Sequence, residues 1–163
     1  MAQIIKAFLD PQKISRYFNG IVDVEDISAE WRVVELSASG EIWSESAPNL
    51  IALDPTRCDQ ALIKYELWDG EPPTSNWDES RLGTVHLTSG KVAAISSWSG
   101  DTTYNDEFDL GRRDQDWRFE VHRKFLSHED FTTDIISLVL YKVQFWSPAE
   151  IEHQSAETNP HAR

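Results

Sequence analysis

Basic residues are scarce in this 163-residue chain: 15 Lys and Arg stand against 28 Asp and Glu, a formal net charge of −13. Such a surface repels nucleic acid unless its cations are segregated, and the only clusters are Arg112-Arg113, then Arg118 and Arg123-Lys124. Direct nucleic-acid binding is therefore not expected. Cysteine is limited to Cys58, which excludes an internal disulfide and suits a reducing compartment. Arg57 and Asp59 flank it without any His/Cys signature, so it reads as a bystander thiol. Long apolar runs are missing as well. The opening "MAQIIKAFLDPQK" is interrupted by Lys6 and Asp10 and is no signal peptide, and nothing approaches the roughly 18 apolar residues of a membrane span. A cytoplasmic protein is expected, with no membrane partner.

The familiar catalytic spacings are also lacking. Neither nucleotide-binding glycine loop occurs, and "SSWSGD" around Ser97 and Ser99 lacks the leading glycine of a nucleophile elbow. His86, His122, His128, His153 and His161 form no zinc spacing, and no metal or cofactor is expected. His86 and His122 fall on the polar parity of strands, which reads as surface. In "DTTYNDEFDLGR", Asp101, Thr103 and Asn105 match calcium-loop positions, but Asp106 stands where glycine is needed and Arg112 where glutamate is needed. Only a weak site from Asp101, Asn105, Asp106 and Asp109 is conceivable there.

What the chain does have is strand pattern. "ALIKYELW" sets Ala61, Ile63, Tyr65 and Leu67 against Lys64 and Glu66, the period of a half-buried strand. "DWRFEVHRK" sets Trp117, Phe119 and Val121 against Arg118, Glu120 and His122. "DIISLVLYKVQFW" is apolar on both parities through Leu140, which predicts a central strand. "NLIAL" predicts a short strand, "EWRVVELSASGEIW" predicts two strands around Ser-Ala-Ser-Gly, and "GTVHLTSGKVAAIS" predicts a hairpin turning at Ser89-Gly90. Asp10-Pro11 and Asn19-Gly20 bracket a predicted short helix at about 11–18. The segment Ile4 to Leu9 fits strand or helix. The expected fold is mainly β, an antiparallel β-sandwich or distorted barrel with that short N-terminal helix. Residues 1–147 form one domain in this reading, and 148–163 a polar, loose tail.

Between two predicted strands lies "WDGEPPTSNWDES", residues 68–80, with two Trp-Asp pairs, two prolines and four carboxylates. It reads as a long hairpin connection stiffened by Pro72 and Pro73. Stiff loops on rigid sheets suit recognition. Trp68 and Trp77 are candidate anchors, with Asp69, Glu71, Asp78 and Glu79 as complementary charge. The plainer reading folds both indoles inward as a cap.

The stretches "ELWDGEPP", "WDESRLGTVHLTSGKV", "FDLG" and "YKVQFWSP" resemble a set of small acidic bacterial β-sandwich proteins. More distantly, Trp77-Asp78-Glu79 followed by Gly83 and an alternating strand is similar to the competence protein J family, small acidic inhibitors of a nuclease. The resemblance covers about residues 60–146. It implies a sandwich without its own catalysis and an acidic decoy for a basic site.

Three functions follow as expectations. The first is a non-enzymatic acidic module that binds a basic protein, such as a nuclease, as an inhibitor or immunity-type factor. The second is a small-ligand or carbohydrate-binding sandwich that stacks sugars on Trp77, Trp98 or Trp117. The third is a hydrolase using paired carboxylates such as Asp69 and Glu79.

Overall fold

The computed structural model describes residues 1–15, 18–39, 42–53, 60–127 and 137–148. Two sheets face each other. The first runs β1 (Ile4–Leu9), β6 (Gln60–Trp68), β12 (Ser137–Trp146), β11 (Gln115–Ser127), β7 (Glu79–Leu87), with β2 (Ile14–Ser15) also on β6. The second runs β10 (Phe108–Asp109), β8 (Lys91–Trp98), β3 (Phe18–Asp23), β5 (Leu50–Leu53), β4 (Ser44–Ala47), with β9 (Asp101–Tyr104) on β8. The sheets do not close into a barrel, so the architecture is a sandwich with one short helix, α1 (Ala29–Ser39).

Period-two patterning decides which side chains fill the gap between sheets. Ala61, Ile63, Tyr65 and Leu67 of β6 are buried, as are Trp117, Phe119 and Val121 of β11. β12 is the central strand of its sheet and sends Val139, Tyr141, Val143 and Phe145 inward. The second sheet answers with Phe18, Ile21, Ile51, Leu53, Val92, Ala94 and Phe108. Each such side chain contributes about 1.5–3 kcal/mol on burial. At one edge the rings of Phe8, Tyr65 and Phe108 stack across the sandwich, with centroids 6.4 and 5.2 Å apart.

Several expectations are corrected. The helix predicted at about 11–18 is absent where the residues are described: Ile14–Ser15 pair with β6, and β3 begins at Phe18. Asp10 is not a helix cap. Its Oδ1 accepts the Gln12 amide at 2.9 Å, an Asx-turn, and its Oδ2 accepts from Asn105. Instead, the stretch from Ala29 to Ser39, predicted as strand, is the helix. Val33 and Val34 suggested strand, but Ala29, Val33 and Leu36 share one face and pack on the outer side of the second sheet.

"GTVHLTSGKVAAIS" is not a hairpin, because β7 and β8 belong to different sheets. The sandwich is not wholly antiparallel either, since β6 and β12 pair in parallel. The β7–β8 connection therefore crosses from one sheet to the other, and the buried Asp23 carboxylate fixes it. Asp23 accepts from Ser89 N (2.8 Å), Ser89 Oγ (2.7 Å), Gly90 N (3.2 Å) and Glu25 N (3.0 Å). Asn49 braces the same corner, accepting from the Thr88 amide and donating to Asp26 and Thr88 Oγ1.

Gly90 takes φ +76, and a Cβ there would lie 2.2 Å from the Arg112 carbonyl oxygen. Gly90→Ala should cost about 3 kcal/mol or more in urea unfolding. Gly111→Ala, at φ +83 with nothing within 4 Å, should cost about 1 kcal/mol. Equal losses would contradict the crowding argument.

Candidate functional site

The segment from Trp68 to Glu79 does not join neighbouring strands. β12 and β11 lie between β6 and β7, so it is a crossover rather than the predicted hairpin connection. Its contacts show its path. Ser75 Oγ accepts from Lys142 Nζ at 3.0 Å, and the Trp77 ring lies 6.0 Å from the His122 ring and 5.1 Å from Lys142 Nζ. The loop thus crosses the outer face of the first sheet over β12 and β11. Pro72 is buried and lacks an N–H that would need a partner. Asp69 holds one end, its Oδ1 accepting the Gln3 amide at 2.8 Å.

Beneath the loop, polar side chains are linked across four strands. Glu66 of β6 is only 4% exposed. Its carboxylate accepts from Trp68 Nε1 (3.1 Å), Gln144 Nε2 (2.9 Å) and Lys64 Nζ (3.1 Å). A carboxylate only accepts, so the Gln144 amide must turn its nitrogen to Glu66 and its oxygen to His122. That oxygen lies 2.8 Å from His122 Nε2, which therefore donates. In the Nε2-protonated tautomer Nδ1 accepts from Ser80 Oγ, 2.7 Å away. The expectation that His122 lies on the surface is corrected: it is 1% exposed, because the crossover covers its parity of the strand. Burial pushes the Glu66 carboxyl up, but the hydrogen bonds from Gln144, Lys64 and Trp68 and the Lys64 charge outweigh it, leaving the group below its ordinary value. Burial holds the Lys142 ammonium below its ordinary value, against the pull of Glu66.

The six candidate residues divide. Trp68 and Trp77 are half-buried against this network, and Asp69 is bonded to Gln3. Glu79 pairs with Arg123, whose guanidinium lies 4.2 Å from the Trp43 ring centroid. Glu71 and Asp78 are exposed. Asp69 follows β6 and Glu79 begins β7, strands that run parallel three spacings, about 14 Å, apart, so the two lie at opposite ends of the sheet, beyond either glycosidase separation. Trp117 is 2% exposed in the core, so it offers no sugar platform; the Trp98 side chain and Cys58 lie outside the described residues. His86 is partly exposed, bridged to Asp116 (2.8 Å) and Asp114 (3.0 Å), which raise its pKa. In the calcium-like loop Asn105 donates to Asp10 and to the Gln12 carbonyl, and Asp109 accepts the Gly111 amide. Among the described residues, no three His, Cys, Asp or Glu group to hold a metal, and no helix is long and apolar enough to cross a membrane.

On the opposite face, a recess of about 260 Å³ lies between the start of α1 and β9, lined by Val24, Ile27, Glu30, Ala93, Tyr104, Asn105 and Glu107. Reading 29–39 as strand hid it. The overlooked signal was Asp26 and Ser28 before Ala29 and Glu30: Asp26 Oδ1 accepts the Ser28 amide and hydroxyl at the helix start, and Glu30 makes the first turn acidic.

The geometry is that of a two-sheet sandwich with a crossover loop on one face and a helix on the other. This fold is shared with a solved structure described as ComJ, inhibitor of the DNA degrading activity of NucA, from Bacillus subtilis. The TM-score is 0.52 at 17% identity, over 90% of this chain and 98% of that one. A second structure, described as crocagin biosynthetic gene J, aligns over 91% of this chain and 99% of its own, with TM-score 0.45 and 14% identity. No family model and no curated protein matches the sequence.

Glu66 supplies a pH test. Its folded pKa is depressed, so its contribution is complete above the unfolded value near 4.5 and is lost as pH falls through the folded value. Glu66→Gln should lower stability at pH 7 by about 1–3 kcal/mol and flatten the loss of stability below about pH 4.5. Urea midpoints across pH 3–7 measure both, and an unchanged acid limb would show that Glu66 does not carry it.

Proposed function

We propose that this protein is a non-enzymatic, acidic protein-binding module that inhibits a basic partner, with a nuclease as the partner class. The observation that carries this reading is the sharing of a nuclease inhibitor's fold over 90% of the chain, together with a net charge of −13. A nuclease presents cations to the phosphate backbone, and an acidic surface competes for them and is steered to them. Within the crossover, Glu71 and Asp78 can meet a partner without unmaking the fold, whereas Trp68, Asp69, Trp77 and Glu79 also hold the loop in place. A sugar-binding role has less support, because Trp117 is enclosed and Trp77 is half-buried against His122 and Lys142.

The immobilised chain should retain, from host extract at low salt, a basic protein with DNA-degrading activity. The free chain should suppress that activity, and the suppression should weaken as salt shortens the range of the field. Reversing both exposed acids, Glu71→Lys with Asp78→Lys, should slow association about two- to fivefold. Retained material without DNA-degrading activity, or degradation indifferent to the added chain, would contradict the reading.

A further inference from the structure

α1 packs on β3 and β5, and its first turn meets β9 through the Glu30–Tyr104 hydrogen bond. The recess described above lies there, on the face opposite the crossover loop. We propose that it receives an arginine side chain from the basic partner, its stem against Ile27 and Tyr104 and its guanidinium facing the Glu30 and Glu107 carboxylates. This deepens the protein-binding reading and rests on it.

Three observations favour this occupant. The first is size: about 260 Å³ is too small for a drug-sized ligand but admits one long side chain. The second is charge. Two carboxylates and no Lys or Arg line the recess, and among the described residues Glu107 has no ion-pair partner. The larger recess beside α1, about 450 Å³, brings its own cation, Arg32, and selects no sign. The third is the surroundings. Ile27 is 80% exposed and Tyr104 37%, large side chains in water at the recess that suit the centre of an interface.

The recess is also held in shape before any partner arrives. The Tyr104 hydroxyl donates to Glu30 and fixes that carboxylate. Burial and the Glu30 charge push the Tyr104 phenol upward, so it keeps the proton it donates. Asn105 at the floor is tied to Asp10, to the Gln12 carbonyl and, through its own amide, to the Ala94 carbonyl. Preorganisation of this kind lowers the ordering cost of binding. A planar guanidinium can stack on Tyr104 and address two carboxylates at once, which an ammonium does less well.

Amide chemical-shift mapping of the intact chain with the peptide acetyl-Leu-Arg-Leu-amide tests the proposal. Saturable shifts are expected at Ile27, Glu30, Tyr104 and Glu107, with none at 69–78. The neutral peptide acetyl-Leu-Gln-Leu-amide should produce none of them. Glu107→Lys and Ile27→Ser sit on exposed positions, and each should weaken binding about fivefold or more while leaving the remaining spectrum in place. Shifts centred on 69–78, non-saturating shifts spread over the acids, or indifference to Glu107→Lys would overturn the proposal. So would concentration-dependent shifts at the recess without peptide, which would mean that a second copy fills it. The mapping involves no nuclease. An occupied recess without nuclease suppression removes the inhibitor reading alone, and suppression with an empty recess removes the arginine site alone.

Discussion

A carboxylate can lie buried on the outer face of a sheet only if its surroundings donate to it. Glu66 meets that condition with three donors, and one of them, Gln144, sets a chain of consequences. Gln144 must turn its nitrogen to Glu66, so its oxygen faces His122, so His122 protonates Nε2 and leaves Nδ1 for Ser80. Four strands are registered by one sequence of hydrogen bonds. The arrangement needs a roof to exclude water, and the crossover loop provides it through Trp68, Ser75 and Trp77. The tryptophans and acids that mark this loop in the sequence are thereby tied to architecture.

The two outer faces consequently differ. The first sheet's face carries Lys64, Lys142 and Arg118 among its acids and is partly roofed by the crossover. The second sheet's face carries α1, with Glu30 and Glu35, and the exposed acids Asp101, Asp106 and Glu107 nearby. A basic partner is drawn by the whole field, but a preformed recess with two carboxylates gives it a specific place to dock.

Much of this fold was legible in the sequence, because period two is a strong signal. The inward residues of β6, β11 and β12, and the central place of β12, followed from alternation and from apolar character on both parities. Topology was not legible. Ser89-Gly90 is a good hairpin turn, and nothing local tells that it passes between sheets; the deciding contact is with Asp23, which is 66 residues away. Asp10-Pro11 carried the letters of a helix start but made an Asx-turn, because Ile14 and Phe18 are both buried in the core. The true helix was obscured by its valines, and tertiary packing of Ala29 and Val33 overrode their preference. His122 shared the parity of Arg118 and Glu120, and only the distant loop that covers it separates it from them.

The dependence of the first sheet on its buried polar chain is most directly tested at the His122 ring. Long-range nitrogen–proton NMR distinguishes the two neutral tautomers and shows how fast the ring proton exchanges. The account predicts a proton on Nε2, an unprotonated Nδ1 and slow exchange under the Trp77 roof. A proton on Nδ1, or a ring proton exchanging as freely as in water, would mean that Glu66 does not orient Gln144 and that the loop does not seal this face.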